Sequence, residues 1–232
     1  MAASKRQESR ERITAELLAA ARAQLAEVGP AGLSLRSVAR EIGMVSSAVY
    51  RYVESRDDLL TRLIIEAYDE LGATAEQAAS QYAEAPDIER WVATAHAIRL
   101  WCVEHPHQYL LLYGSPVPGY AAPEDTVVPG TRVTFALVSV AADAHAAGRL
   151  APPGDAAASV TSSDLSAELG HLAELTNSDL PADGVLGFLV AWTQMFGLIG
   201  FEITNQTRNM VTDHAALFDA TVRLQALHMG LR

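Results

Sequence analysis

Residues 34–52 read SLRSVAREIGMVSSAVYRY. Leu35, Val38, Ala39 and Ile42 fall at i, i+3, i+4 and i+7, which is one face of a helix. Ser34 stands just before them, where a hydroxyl can accept an early backbone N–H. Gly43 follows, a residue that takes the left-handed position after a helix at no steric cost. Ser46 can cap a second short helix, Ser47 to Tyr52, with Val49 turned back to the core. Two short helices joined by a three-residue turn with a glycine predict a helix-turn-helix. In that motif the second helix enters a DNA major groove.

The flanks extend the pattern. Upstream, Ile13, Leu17, Ala21, Leu25 and Val28 recur at helical spacing, and Gly29-Pro30 stops the run, predicting a helix from Glu8 to Val28. Arg6, Arg10 and Arg12 stand in or before its first turn, either as phosphate or minor-groove contacts or as a charged arm. Downstream, Ser55-Arg56-Asp57-Asp58 has an acid three residues after a serine, a capping box. It opens a long helix, 56–80, whose buried face is Leu59, Leu60, Leu63, Ile64, Ala67, Tyr68 and Leu71.

These residues also carry a resemblance. Ala39 to Ser46, Ala48 to Val53, and Ser55-Arg56-Asp57-Asp58-Leu59-Leu60 resemble the DNA-binding domain of TetR-family transcriptional regulators. Val53 stands where the family usually has Phe, and Arg56 where it often has Lys. The resemblance implies an N-terminal three-helix DNA-binding domain at 8–70 and a larger helical ligand-binding and dimerisation domain at 71–232. It implies a homodimer on a palindromic duplex, a small-molecule effector and, by default, repression.

The charge distribution agrees. The chain of 232 residues has a net charge of −11, but 1–56 hold nine basic and six acidic residues, leaving +3 there and −14 elsewhere. A basic head on an acidic body suits a molecule of which one end meets phosphate.

On the reading helix, Ser46, Ser47, Tyr50, Arg51 and Tyr52 form the polar set. Arg51 can pair with guanine O6 and N7, or clamp a phosphate. Tyr50 and Tyr52 have hydroxyls suited to phosphate; alternatively the Tyr50 ring packs under its helix. Arg36 can reach a base or a phosphate, and Arg56 sits at a helix N-terminus, a site that attracts phosphate. Ser34 completes the DNA-binding set. One head binds modestly, so two heads about one duplex turn apart (~34–36 Å) are expected on physical grounds too.

The rest of the chain reads as helices at 87–104, 106–113, 131–147, 164–176, 181–205 and 213–229, making about ten in all and no strand. Loops are expected at 115–130, which has four prolines, and at 151–163. The 181–205 helix is apolar nearly all round and must be covered on every side. With the 213–229 helix it is the candidate dimer interface. Gly197 and Gly200 admit either a partner backbone or a neighbour in the same subunit.

A second resemblance covers roughly 85–205. Trp101-x3-His105-Pro106-x2-Tyr109 and Pro116-Val117-Pro118-Gly119-Tyr120 look like the ligand-binding half of a TetR subfamily that also has a Trp-x3-His-Gly motif. Here that stretch reads Trp192-Thr193-Gln194-Met195-Phe196-Gly197, with Phe in place of His. The implied ligand set is Trp101, His105, Tyr109, Tyr113, Trp192, Met195 and Phe196, with Gln194 and Glu202 as further polar candidates. An ordinary helical core explains the same aromatic residues.

Other classes find little support. There is no G-x-S-x-G, P-loop or H-E-x-x-H, and His96, His105 and His107 lack metal spacing with a carboxylate, so neither cofactor, metal nor catalytic residue is expected. The lone Cys102 fits a reducing cytoplasm. The N-terminus has no apolar h-region, and no apolar run is expected to reach the length of a membrane span. A helical enzyme, or a protein-interaction module retaining a basic head, remains the alternative to a regulator.

Overall fold

The fold is seen in a computed structural model that describes residues 2–151, 162–176 and 178–232, the side chains of 2–4 excepted. Ten α-helices run through these residues, none of which forms a strand, in keeping with the all-α expectation. They are α1 (Ala2–Gly32), α2 (Leu35–Glu41), α3 (Ser46–Val49), α4 (Arg56–Gln81) and α5 (Asp87–Glu104), then α6 (Pro106–Tyr113), α7 (Val127–Ala146), α8 (Ser163–Leu175), α9 (Ala182–Ile203) and α10 (His214–Met229). The 151–163 loop expectation lies almost wholly outside the described residues.

Two compact units result. The first takes the chain up to Asp69 together with His105–Gly130; the second takes Glu70–Glu104 and Thr131–Arg232. The sequence reading divided the chain once, at 70/71, and did not assign 105–130 to the head.

The first unit has a core of Leu17, Ala21 and Leu25 from α1, Leu35, Val38 and Ala39 from α2, Val49 from α3, and Leu59, Leu60 and Leu63 from α4. Leu111 of α6 is buried in the same core, with Leu112, Val117 and Tyr120 packed on it. Tyr120 and Thr61 hydroxyls share a 2.9 Å hydrogen bond, and Tyr113 meets Tyr68 edge to face at 6.2 Å. Gly29, at φ 69°, breaks the helical path of α1 where Gly29-Pro30 predicted a stop.

The loop expected at 115–130 is shorter than that. A 3-10 turn at Glu124–Thr126 leads straight into α7 at Val127. Pro129 is tolerated because it falls in the first helical turn, where an N–H has no intrahelical partner anyway.

In the second unit α9 packs against α8, α10 and α5. Val185, Phe188, Ala191, Met195, Phe196 and Ile199 are its buried side. By length and composition α9 and Glu124–Ala146 are each apolar enough to cross a bilayer, which corrects the expectation that no run is. Paired charges fasten the helices. Arg99 holds Glu202 through Nε and Nη2, Arg149 holds the buried Asp87 at 2.8 and 3.0 Å, and Arg90 reaches Asp143 at 2.7 Å and the Ala79 carbonyl at 2.9 Å. Asp213 caps α10 by accepting the Ala216 N–H at 2.9 Å. At the other end Gly230 is left-handed, and a Cβ there would collide with the Ala151 carbonyl.

Candidate nucleic-acid interface and ligand residues

The helix-turn-helix is built as two short helices hung on α1 and α4. Val38, Ala39 and Val49 are fully buried, so the opposite faces of α2 and α3 are outward. Gly43 turns the chain at φ 70°, and the Met44 N–H donates to the Ala39 carbonyl at 2.8 Å. α3 is shorter than expected: it covers Ser46–Val49, with Val45 rather than Ser46 at its cap position. Beyond it, Arg51 and Tyr52 N–H groups reach back three residues to Ala48 and Val49, a tightened turn rather than a continued helix.

Two serines expected to cap do not. Ser34 has the extended backbone of a cap residue, but its side chain accepts no cap hydrogen bond, nor does that of Ser46. Instead the Ser34 N–H donates to Gln24 Oε1 at 2.7 Å, tying the start of α2 to α1. Ser55 does cap: its Oγ accepts the Asp58 N–H at 3.0 Å, and Asp58 Oδ2 accepts the Glu54 N–H at 2.8 Å. Partial burial pushes the Asp58 carboxyl up, but Arg62, bonded to it at 2.8 and 3.1 Å, and the Glu54 N–H outweigh this and hold it below its ordinary value.

The expected reading residues divide by exposure. Arg36, Ser47, Tyr50 and Arg51 are exposed, and Tyr50 is open enough that its ring is not under the helix. Tyr52 is half-buried against the head core. Arg36 also lines an open cleft of about 590 Å³ with Ser37, Arg40, Gly43, Met44, Val45 and Ser46. Arg40, Ser37 and the 72 % exposed Val45, which the sequence reading did not single out, lie in the same cleft. The signal was available, since Arg36 and Arg40 are four apart and share a face of α2.

Arg56 is differently placed. Its Nε donates to the Leu33 carbonyl at 3.2 Å, and its Nη2 to the Pro30 and Ala31 carbonyls at 2.9 and 3.3 Å. Nη1 lies 3.4 Å from Asp57. The guanidinium thus binds the corner between α1 and α2.

The expected ligand residues fall in both units. His105, Tyr109 and Tyr113 belong to the first, where Tyr109 and Tyr113 rings lie 5.5 Å apart. Trp101, Trp192, Met195 and Phe196 belong to the second, where the Trp192 and Phe196 rings lie 5.7 Å apart. Trp101, Met195 and Phe196 are buried, and the Trp192 Nε1 is buried with no hydrogen-bond partner among the described residues. Cys102, next to Trp101 in α5, is fully buried, and burial pushes its thiol up to about 12, leaving it protonated and unreactive. No cluster of His, Cys, Asp and Glu among the described residues can hold a metal.

Residues 17–63 match the family model for bacterial regulatory proteins of the tetR family, and residues 91–224 match that for the tetracyclin repressor-like C-terminal domain. The chain is 40% identical over 227 residues to the HTH-type transcriptional regulator Rv1816 of Mycobacterium tuberculosis, covering 95% of this chain and 93% of that protein. Among solved structures it resembles the regulatory protein SCO4313, with a TM-score of 0.76 and 29% identity over 94% of this chain and 97% of that one. A protein of unknown function from Rhodococcus sp. RHA1 shares the fold, with a TM-score of 0.66 and 24% identity over 94% of each chain.

Proposed function

The chain belongs to the tetR family of bacterial regulatory proteins, and from that premise we propose that it is a cytoplasmic repressor, binding a palindromic duplex as a homodimer and released by a small, largely apolar molecule. It is a helix-turn-helix regulator of transcription and not an enzyme, as are its relatives. The observation that carries the DNA reading is the exposed set Arg36, Arg40, Ser47, Tyr50 and Arg51 on the outward side of α2, α3 and the turn after it. Arg51 is assigned to a base edge or a phosphate, and Arg36 and Arg40 to phosphates. Ser34, Ser46 and Tyr52 support the reading surface from its edge. Arg56 acts through the α1–α2 corner, as a positioning residue.

The homodimer is supported by an apolar face left open on α9 and α10. Val190, Phe201, Leu224 and Leu227 are 45–60 % exposed. On α10, Leu217, Ala220, Leu224 and Leu227 follow one another at helical spacing. Gly197 has nothing within 4 Å of where its Cβ would be, so a partner helix can approach closely there. A large exposed apolar face of this kind is a usual site of self-association. For the effector, the aromatic residues Trp101, Trp192 and Phe196 together with Met195 offer an apolar lining in the second unit, with His105, Tyr109 and Tyr113 the corresponding group in the first.

The test is selection of bound duplexes from a random pool, followed by titration of the selected duplex with candidate effectors. A palindromic consensus and release by a mostly apolar compound are the expected results. A consensus without two-fold symmetry refutes the dimeric reading, and no enrichment at all refutes sequence-specific DNA binding.

A further inference from the structure

We propose that a cavity in the second unit, walled by the end of α7, the first half of α9 and the last turns of α10, binds a small, mostly apolar molecule carrying a hydroxyl group. The cavity measures about 430 Å³, within the ~300–1,000 Å³ typical of small-molecule sites. None of Trp101, Trp192, Met195 and Phe196 lines it, although Gln194, one of the polar candidates named with them, does. It also rests on no part of the DNA reading.

Its apolar wall is Leu150, Leu186, Val190 and Met229, and two glycines keep it open. Glycine in a helix interior is unfavourable relative to alanine. Yet at Gly187 a Cβ would meet Met229 at 3.4 Å, and at Gly184 it would meet Pro181 at 3.4 Å, both tolerable contacts. Backbone geometry therefore does not demand glycine at either position, whereas side chains larger than alanine would intrude on the cavity.

One polar feature of the wall is incomplete. Gln225 is 4 % exposed and donates Nε2–H to Gln194 Oε1 at 3.3 Å, while its own Oε1 is buried with no hydrogen-bond partner among the described residues. Buried polar atoms are nearly always paired, so this one has a reason to be sought. Turning both amides reverses the bond and leaves an N–H unpaired instead. A hydroxyl satisfies either arrangement, because it both donates and accepts. The terminal torsion of glutamine is soft, so the amide can turn to meet it. Gln194 is exposed and lines the same cavity, so the pair forms its polar end. Asp183, His145 and His228 also stand in the wall, so the lining carries groups of both signs.

Val190 belongs both to this wall and to the apolar face assigned to a second copy, so the test uses the full chain in its own oligomeric state. Phenylethanol and ethylbenzene, alike except for the hydroxyl, are titrated by calorimetry without DNA. Saturable binding of phenylethanol at one per chain is expected. Gln225→Leu should lower the phenylethanol-to-ethylbenzene affinity ratio by about tenfold. Leu186→Trp should abolish binding of both while leaving the melting profile intact; Gly187→Leu is the second filling variant if the first fails to fold. No saturable binding up to the solubility limit, undiminished binding in a folded cavity-filling variant, or an unchanged ratio in Gln225→Leu each overturns the proposal.

Discussion

Arg56 separates two physical roles that sequence alone does not distinguish. Three of its N–H groups donate to the Pro30, Ala31 and Leu33 carbonyls, at 2.9, 3.3 and 3.2 Å. A hydrogen bond from a charged donor contributes ~1.5–3 kcal/mol when well made and buried. Only the 2.9 Å bond is short, and the side chain is 31% exposed, so water replaces part of what is lost. Arg56→Ala should therefore cost about 1–3 kcal/mol in total. For a chain of this size each kcal/mol lowers Tm by roughly 2–4 °C. Arg56→Lys keeps the charge but lacks the planar fork that reaches three carbonyls, and should recover less than half of the loss. The matching DNA assay is the salt dependence of duplex affinity. If Arg56 positions the corner, affinity falls in both variants while the salt slope stays near that of the parent chain. A phosphate contact behaves otherwise: Lys restores binding, and Ala lowers the slope by about 0.9. Wild-type melting of both variants together with that slope change would refute the corner reasoning.

Arg51→Ala is expected to cost about 1–3 kcal/mol and relax the consensus if it reads a base, or to weaken all sequences alike if it holds phosphate; binding to a library of single-substitution duplexes tells these apart. The double variant Arg36→Ala, Arg40→Ala should reduce the salt slope by about 1.8, measured by fluorescence anisotropy across a salt series. Leu224→Asp places a charge on the apolar face and forfeits the burial of a leucine, at least about 2 kcal/mol or ~30-fold in dimer dissociation, read by sedimentation. The Asp58 carboxyl lies below its ordinary value in the folded chain, so its stabilising contribution is full above about pH 4 and is lost as pH falls through the lower folded value; Asp58→Asn should flatten that part of the stability profile in chemical denaturation.

Much of the head was legible because its constraints are local. Leu35, Val38 and Ala39 recur at helical spacing, Gly43 supplies a positive φ, and Ser55 with Asp58 forms a cap within four residues. What was not legible depends on residues distant in sequence. Leu111 shares a core with α1 and α4 residues that lie roughly fifty to ninety-five residues upstream, and nothing in the short α6 marks its face as part of the head core. Arg56 finds carbonyls more than twenty residues upstream, and Gln24 takes the N–H of Ser34 ten residues on. The cap positions of Ser34 and Ser46 illustrate the same limit, because residue type permits a cap bond without securing its geometry. In the second unit the helix spans were readable from period and breakers, but the cavity between α7, α9 and α10 is made by residues from three separate stretches, with glycines that read along the chain only as interruptions.

The central claim is that two copies of this chain read one palindrome through α2, α3 and the turn after it. Its most direct measurement is the mass and affinity of the complex with the selected duplex, for the parent chain and for Arg51→Ala, by sedimentation at several salt concentrations. The account predicts an even number of chains per duplex, at least two, affinity that falls steeply with salt, and a clear loss in the variant. One chain per duplex, or full affinity in Arg51→Ala with no dependence on salt, would contradict it.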